Sequence, residues 1–300
     1  MPRLLSVLAT LTLLAACAPA APTVEEASPP PSLLDTVTGA RVIELNFIWG
    51  NDAPVLELNP PFRISLPSTH ANTAPSMPGG LAFAGDVMET SGQHGAPTID
   101  AIGHISHDGQ LYGGVSATDS ESDAGLTALG IENYPSDKFI NRGVLLDVAR
   151  YKGVDALDPG YEITPEDLEG TVAAQGVELR AGDSIVIRTG FGAFFEGDQA
   201  RYTGFRPGVG EAGATWLAEQ NPFLAGMDTL TFDVVPEAGT EFPAHRTLIP
   251  GAGVYLVENM NLEALGSELA GSPGEFALVI NPLRYRGATA SPLNAFALVE

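Results

Sequence analysis

Short apolar runs rich in β-branched residues, separated by glycine and proline, limit what this chain can fold into more than any other feature. Runs of this length and composition predict β-strands rather than helices. Helical segments fall between only some of them, so strands outnumber helices, which indicates an α/β class with a mixed sheet. The strands are predicted at residues 42–48, 62–66, 143–149, 184–189, 230–235, 254–257, 276–280 and 295–299.

Three segments carry helix signals. Thr164 suits the N-cap position and Pro165 the first helical position, and the two acidic residues that follow complement the helix dipole. A second helix is predicted at about residues 210–220, where an Asn-Pro pair ends it, and a third at 261–269. The chain has 300 residues, of which 44% are hydrophobic. This is enough for one sizeable core, so we predict a single folded domain at 41–300.

Charge and motifs exclude several classes of function. The chain has 14 basic and 37 acidic residues, a formal charge of -23, so it would repel phosphate backbones, and we expect no nucleic-acid partner.

Residues 208–213 satisfy G-x-G-x-x-G, but no apolar strand precedes them, so they predict a glycine-rich helix start rather than a dinucleotide site. The sequence lacks G-x-S-x-G and H-E-x-x-H, which counts against serine-hydrolase and zincin chemistry.

The segment from Gln93 to His104 concentrates metal-ligand types. It carries two of the chain's five histidines, His94 and His104, together with Asp100. Imidazole nitrogen and carboxylate oxygen are ligands for Zn²⁺ or Mn²⁺. Thr98 and Asp100, two residues apart, would share one face of an extended segment. Spacing alone also fits a polar loop with two solvated histidines, and the residues by themselves leave both readings open.

This segment resembles the first signature of the cyclase family, which includes kynurenine formamidase-type and isatin hydrolase-type enzymes. The signature reads His-x-Gly-Thr-His-x-Asp-x-x-x-His, and its first His, its Asp and its last His match His94, Asp100 and His104. The middle His does not match, because Thr98 stands at that position.

The second half of the chain resembles the second signature of the same family, in which a His is followed by a Glu-Asn pair after the next strand. His245 and Glu258 match it. A carboxylate at the end of an apolar strand is costly to bury, and a cation would relieve that cost. Taken singly, His245 could be a loop residue and Glu258 a solvated strand end. Further similar segments extend the resemblance over about residues 41–300. It implies a three-layer β/β/α swivelling domain, assembled as a homo-oligomer.

The resemblance also implies an activity. Family members use a divalent metal, and water activated by Zn or Mn, as one or two ions, would hydrolyse an amide, lactam or N-formyl bond in a small aromatic molecule. The metal ligands would be His94, Asp100, His245 and Glu258. His104 would be catalytic, passing a proton to the leaving nitrogen, a task suited to a side chain that titrates near neutrality. No organic cofactor is implied, and the expected partner is a small-molecule substrate.

Thr98 leaves three outcomes open, because a neutral hydroxyl is a poor metal ligand beside imidazole. The protein could be a one-metal hydrolase, which we favour, or a two-metal hydrolase with one weakened site. It could also be a lipid-tethered, non-catalytic binding or envelope protein on the same scaffold. Bound metal and measurable turnover would separate these hypotheses.

The N-terminus predicts export. Residues 1–17 combine an early Arg3 with an apolar stretch too short to span a bilayer, as in a signal peptide. The segment ends Leu-Ala-Ala-Cys17, which resembles the lipobox of bacterial lipoproteins, and Cys17 is the only cysteine. Cleavage after Ala20 is the alternative. Residues 18–40, rich in Ala and Pro, would form a tether. We therefore expect a periplasmic lipoprotein that meets the membrane only through Cys17, anchored at the outer membrane.

Overall fold

The computed structural model describes residues 32–300. The predicted signal peptide, Cys17 and the first part of the predicted tether lie outside these residues. The chain divides into a unit ending at Thr38 and a unit from Gly39 to Glu300. Helix α1, Leu33–Gly39, begins in the first unit and has no buried side chain. Among residues 32–300, no helix is both long and apolar enough to cross a membrane.

The second unit contains the strands and the remaining helices. The strands are β1 Arg41–Glu44, β2 Arg63–Ser68, β3 Gly85–Glu89, β4 Thr98–Asp100, β5 Gln110–Leu111, β6 Val115–Ser116, β7 Ile140–Asp147, β8 Glu162–Ile163, β9 Ser184–Arg188, β10 Gly208–Val209, β11 Leu224–Met227, β12 Tyr255–Glu258, β13 Glu275–Pro282 and β14 Ala290–Val299. The α-helices are α2 His70–Thr73, α3 Val148–Lys152, α4 Pro165–Gln175, α5 Phe194–Gly197, α6 Gln199–Thr203, α7 Glu211–Glu219, α8 Pro243–Arg246 and α9 Glu263–Glu268. Short 3-10 helices cover Ala74–Ser76, Pro78–Gly80, Tyr112–Gly114, Thr118–Ser120, Ile131–Asn133, Ser136–Lys138 and Phe191–Ala193, and a π-helix covers Thr247–Gly251.

Eight strands form one closed mixed sheet. Their order is β1-β14-β13-β7-β9-β11-β12-β4, and an additional pairing of β14 with β4 closes it. The neighbours β7, β9, β11 and β12 run parallel, whereas β1, β4, β13 and β14 pair antiparallel with their neighbours. Helices pack around this sheet, which confirms the predicted α/β class with a mixed sheet in a three-layer arrangement.

Alternate residues of the central strands enter two separate cores. In β9, Val186 joins one core with the side chains of β13 and β14, while Ile185 and Ile187 join another with helices α4 and α7. Because successive side chains of a strand point to opposite faces, a strand buried on both faces reads as a continuous apolar run. This is why the central strands β7 and β9 could be predicted from sequence.

The predicted strand at 230–235 is wrong. The strand of this region is β11, Leu224–Met227, and residues 230–235 follow it as an irregular buried segment with isolated bridges from Val209 to Asp233 and from Arg206 to Val235. β11 has the sequence Leu-Ala-Gly-Met, without a β-branched residue, so its composition does not indicate a strand. A Cβ on Gly226 would lie 2.7 Å from the Met260 sulfur.

The predicted helices are present. Thr164 caps α4, Pro165 is its first residue, and Thr164 and Asp167 form a reciprocal capping box. The G-x-G-x-x-G segment passes from the short strand β10 into α7, as a glycine-rich helix start.

Candidate metal centre and cavity

Strand alternation turns two distant carboxylates to the same face of the sheet. Asp100 ends β4 and Glu258 ends β12, and these strands pair antiparallel with Thr98 opposite Glu258. The intervening Ile99 and Val257 both enter the core shared with β13 and β14, so their neighbours point to the other face. Both Asp100 and Glu258 are buried. The two predicted signatures therefore meet across a pair of adjacent strands.

His245 completes the group from the helical side. It lies in α8, which begins after Phe242 in a left-handed conformation with φ 52°. The Nε2 atom of His245 is 3.4 Å from Asp100 Oδ2 and 3.4 Å from Glu258 Oε1. One ligand atom from each of the three residues lies within 4.8 Å of the others. We call Asp100, His245 and Glu258 the acidic site.

Asp233 fixes the orientation of His245. Its carboxylate is fully buried and accepts hydrogen bonds from the backbone N–H of Ala244 at 2.6 Å and of His245 at 3.3 Å. It also contacts His245 Nδ1. Because a carboxylate accepts, Nδ1 carries a proton, and Nε2, which is directed toward Asp100 and Glu258, is the nitrogen that could bind a metal ion. A carboxylate behind a ligating histidine is the usual arrangement at metal sites.

The acidic site has more negative charge than the protein itself compensates. Both carboxylate oxygens of Asp100 are buried without a hydrogen-bond partner. Burial raises the pKa of Glu258 to about 8; His245 acts to lower it, and the charge of Asp100 adds to the rise. Burial would lower the pKa of His245, but the surrounding carboxylates of Asp100, Asp233 and Glu258 raise it well above its ordinary value. Glu258 Oε1 accepts a hydrogen bond from the backbone N–H of Phe232 at 2.7 Å, so the unpaired oxygens are those of Asp100. Together with Glu258 and His245 Nε2 they fit a divalent cation.

His104 faces Asp100 from the side of the cavity. Its Nε2 lies 3.8 Å from Asp100 Oδ1, and its side chain is about a quarter exposed, at 26%. The amide nitrogen of Gln93 lies 3.1 Å from His104 Nε2 and 3.3 Å from Nδ1. His104 therefore reaches both the acidic site and solvent, as a proton-transfer group must.

The structure does not bring His94 into the acidic site. His94 Nδ1 accepts from the backbone N–H of Ser91 at 3.0 Å, and Nε2 lies 2.7 Å from the carbonyl oxygen of Pro60, to which it must donate. The rings of Trp49 and Phe62 pack around it. Both ring nitrogens are thus engaged within the protein, and the role of His94 as a ligand stays a prediction.

Thr98 is likewise occupied by the protein. Its hydroxyl lies 3.1 Å from the carbonyl oxygen of Gly92 and 3.2 Å from that of Ser291, and it can donate to either. These contacts join the 92–98 loop to β14. The residue that replaces the middle histidine of the signature therefore stabilises the backbone, and it does not join the acidic site.

A cavity of about 280 Å³ opens beside the acidic site. Asp100, His104, His245 and Glu258 line one part of it. The remaining wall is largely apolar and comes from the segment after β1, the loop after β4 and the irregular segment after β11; it includes Trp49, Leu56, Ile105, Leu230 and Phe242. Trp49 is therefore a wall residue of the cavity.

Sequence reasoning missed Asp233 and the role of Gln93. Asp233 lies within the apolar run from Leu230 to Val235, where an isolated acidic residue is as costly to bury as Glu258. The burial cost that singled out Glu258 in the sequence therefore applies to Asp233 as well. Gln93 carries no comparable signal, because a glutamine in a polar segment has no unusual burial cost.

The fold and the acidic site together define an α/β protein with a candidate divalent-metal centre at the strand ends of a closed mixed sheet. Residues 43–234 match the family model described as "Putative cyclase". The chain belongs to the cyclase family. The match ends before His245 and Glu258, so the structure, and not the family model, brings these two residues to Asp100.

Individual relatives agree with this assignment. A crystal structure of a novel cyclase is 32% identical, with 89% of each chain covered and a TM-score of 0.79. Isatin hydrolase A from Labrenzia aggregata, solved bound to benzyl benzoate, has the same fold at 22% identity, with a TM-score of 0.66 over 89% of this chain and 97% of that one. A 98-residue stretch is 32% identical to cyclase-like protein 3 of Oryza sativa subsp. japonica and spans about a third of each protein, 32%.

Proposed function

We propose that the protein is a metal-dependent hydrolase that cleaves an amide, lactam or N-formyl bond in a small aromatic molecule. The observation that carries the proposal is the pair of buried Asp100 oxygens without hydrogen bonds, facing His245 and Glu258 beside an apolar cavity. Membership of the cyclase family and the fold shared with an isatin hydrolase support it.

Asp100, His245 and Glu258 would hold a divalent ion, and their nitrogen and oxygen atoms suit Zn²⁺ or Mn²⁺. When bound, the ion would polarise the substrate carbonyl and activate water at neutral pH. We favour a single ion, because His94 and Thr98 are both hydrogen-bonded elsewhere. The other ligands that a second ion would need are thus absent from the acidic site among residues 32–300.

The protein's own groups have separate tasks in this proposal. Asp233 holds the proton on His245 Nδ1, so that Nε2 remains available as a ligand. His104, held by Gln93 and open to the cavity, moves a proton to the leaving nitrogen. The apolar wall around Trp49 excludes water from the far side of the substrate and positions its ring.

Turnover of isatin and of N-formyl anilines tests the activity. We expect the metal-loaded protein to hydrolyse at least one of these substrates and the chelated protein to be inactive until Zn²⁺ or Mn²⁺ is restored. His104→Ala should lose about 10²- to 10⁴-fold in kcat while retaining its metal, and His107→Ala, an exposed histidine three residues further on, serves as the control. Absence of turnover with full metal occupancy would favour the non-catalytic binding protein.

We further propose that Cys17 carries the lipid that anchors the protein in the bacterial envelope. The support is the lipobox-like sequence and the single cysteine. Metabolic labelling with a palmitate analogue should mark the wild-type chain and not Cys17→Ser. Labelling of neither chain, with release of the wild-type protein in soluble form, would favour cleavage after Ala20.

A further inference from the structure

The cavity beside the acidic site has neither lysine nor arginine among the residues that line it in the described part of the chain, 32–300. Apart from the two histidines, its charged residues are Asp100 and Glu258. The remaining polar residues of the wall are neutral: Asn59, Gln93, Thr231 and Asn259.

The buried arginine behind this wall does not compensate for the missing cation. Arg206 is almost fully buried, and its Nε donates to the Thr231 hydroxyl at 2.8 Å. Its Nη1 donates to the carbonyl oxygens of Thr203 at 3.1 Å and Gly204 at 2.8 Å. These donors are directed at the protein, so an anionic ligand in the cavity would find no guanidinium fork to bind.

From this wall we infer that the site selects an uncharged substrate and rejects an otherwise identical anion. The inference rests on the proposed hydrolase function and specifies its substrate class. Burying a carboxylate or sulfonate beside Leu56, Ile105 and Phe242 removes it from water without a compensating partner. A neutral ring, in contrast, gains from burying its apolar surface against the same wall.

A matched pair of probes tests the inference. Isatin-5-sulfonamide and isatin-5-sulfonate have nearly the same size and differ in charge at neutral pH, as do the sulfonamide and sulfonate of formanilide. We expect the metal-loaded protein to show a kcat/KM about a hundredfold higher for the neutral member of a pair, since a buried like-charge contact costs several kcal/mol. Equal values within about threefold, or preference for the anion, would overturn the inference.

A variant at the cavity rim sharpens the test. Leu58 lines the cavity but is 80% exposed, so a long cationic side chain can enter there without disturbing the core. Leu58→Arg should reduce the neutral-to-anion ratio by about tenfold, whereas the uncharged Leu58→Gln should leave it unchanged. An equal effect of both variants would mean that shape, and not charge, sets the ratio.

Binding separates the inference from the proposed function. If neither pair is hydrolysed, the hydrolase proposal fails with these substrates, and calorimetric titration of the metal-loaded protein still decides the inference. A dissociation constant at least about tenfold lower for the neutral member supports it. Equal affinities, or binding of neither member, contradict it.

Discussion

Two groups of acidic residues near the ends of neighbouring strands, each with a buried aspartate, differ in how their charge is balanced. At the ends of β7 and β9, Arg188 donates to Asp147 at 2.9 Å and, through two nitrogens, to Glu263 at 3.0 and 2.7 Å. Burial would lower the pKa of Arg188, but hydrogen bonding to Glu263 and the charge of Asp147 raise it. We call these three residues the arginine cluster. The acidic site, at the ends of β4 and β12, has comparable carboxylates and no arginine.

The difference indicates which group is structural and which is functional. A buried carboxylate needs an opposite charge or several hydrogen bonds. The arginine cluster contains its own cation and is complete when the chain has folded. The acidic site leaves both oxygens of Asp100 without a hydrogen bond and next to a cavity, and the nearby groups that can carry positive charge are the titratable imidazoles of His104 and His245. Buried carboxylates that face a cavity beside histidines, and not beside an arginine, are thus the better indicators of a binding site.

The largest expected effect follows from removing one charge of the acidic site. Asp100→Asn should lower kcat by about a thousandfold or more, because metal catalysis contributes several kcal/mol. Burial would raise the pKa of Asp100, but the histidines His104 and His245 outweigh it and lower the pKa, so the same change should also cost the metal-free protein some stability near neutral pH. Activity assays and thermal unfolding after chelation measure both. The exposed Asp108→Asn is the control, and a kcat within about tenfold of wild type in Asp100→Asn would contradict a role of Asp100 in binding the metal.

In the arginine cluster we expect a substitution to lower stability and to leave metal binding unchanged. Arg188→Met leaves the buried Asp147 with only the more exposed Arg150 as its cation and should lower the free energy of unfolding by up to about 3–5 kcal/mol. Arg188→Lys keeps the charge but loses the bidentate contact with Glu263, so its free energy of unfolding should fall by less than that of Arg188→Met. Urea unfolding gives these values, and calorimetry should show unchanged metal binding in any variant that folds. A loss below about 1 kcal/mol in Arg188→Met would remove the distinction between the two groups.

A smaller effect is expected at Asp233, whose carboxylate contacts Nδ1 of His245. Asp233→Asn should weaken metal binding by about 10- to 100-fold, as loss of such a carboxylate does elsewhere. Asp228→Asn is the matched control: Asp228 is equally buried, but it accepts hydrogen bonds from Thr189 and Gly190. It should lower stability and leave the metal dissociation constant unchanged. Equal losses of metal affinity in both variants would assign Asp233 a purely structural role.

The smallest expected effect concerns Asp167 in the first turn of α4, whose carboxylate pairs with Lys152. Burial would raise the pKa of Asp167, but hydrogen bonds from Lys152 and Tyr161 outweigh it and lower the pKa. Its ionised form therefore stabilises the folded state above about pH 4, and this contribution disappears as the pH falls through the lowered pKa. Asp167→Asn should cost about 1 kcal/mol at pH 7, and the difference from wild type should vanish near pH 2.

Denaturant unfolding at several pH values measures this dependence. The exposed Asp158→Asn, in the turn before α4, provides the control for a general change of charge. A difference between Asp167→Asn and wild type that persists undiminished at the lowest pH would show that the cap acts through shape and not through its charge.

The fold was predictable where local chemistry agrees with the final structure. The apolar runs of β7 and β9 and the capping residues Thr164 and Pro165 indicate their elements directly. β11 was not predictable, because its Gly226 is required by Met260, a residue more than thirty positions later. The apolar run at 230–235 is buried without pairing as a strand, and burial alone cannot distinguish these two cases.

The candidate site was predictable to the extent that residue type reveals chemistry. The resemblance to the family predicted Asp100, His245 and Glu258, and the structure brings them together; their role as ligands stays a prediction. His94 shares the signature, yet its position depends on the carbonyl oxygen of Pro60 and on the packed ring of Trp49, which no local pattern encodes.

Anomalous diffraction from crystals grown with Zn²⁺ or Mn²⁺ tests the central claim most directly. The account predicts one peak per chain, about 2.0–2.2 Å from His245 Nε2 and from carboxylate oxygens of Asp100 and Glu258. A peak bound by other residues, or none at this position at saturating metal, would contradict it.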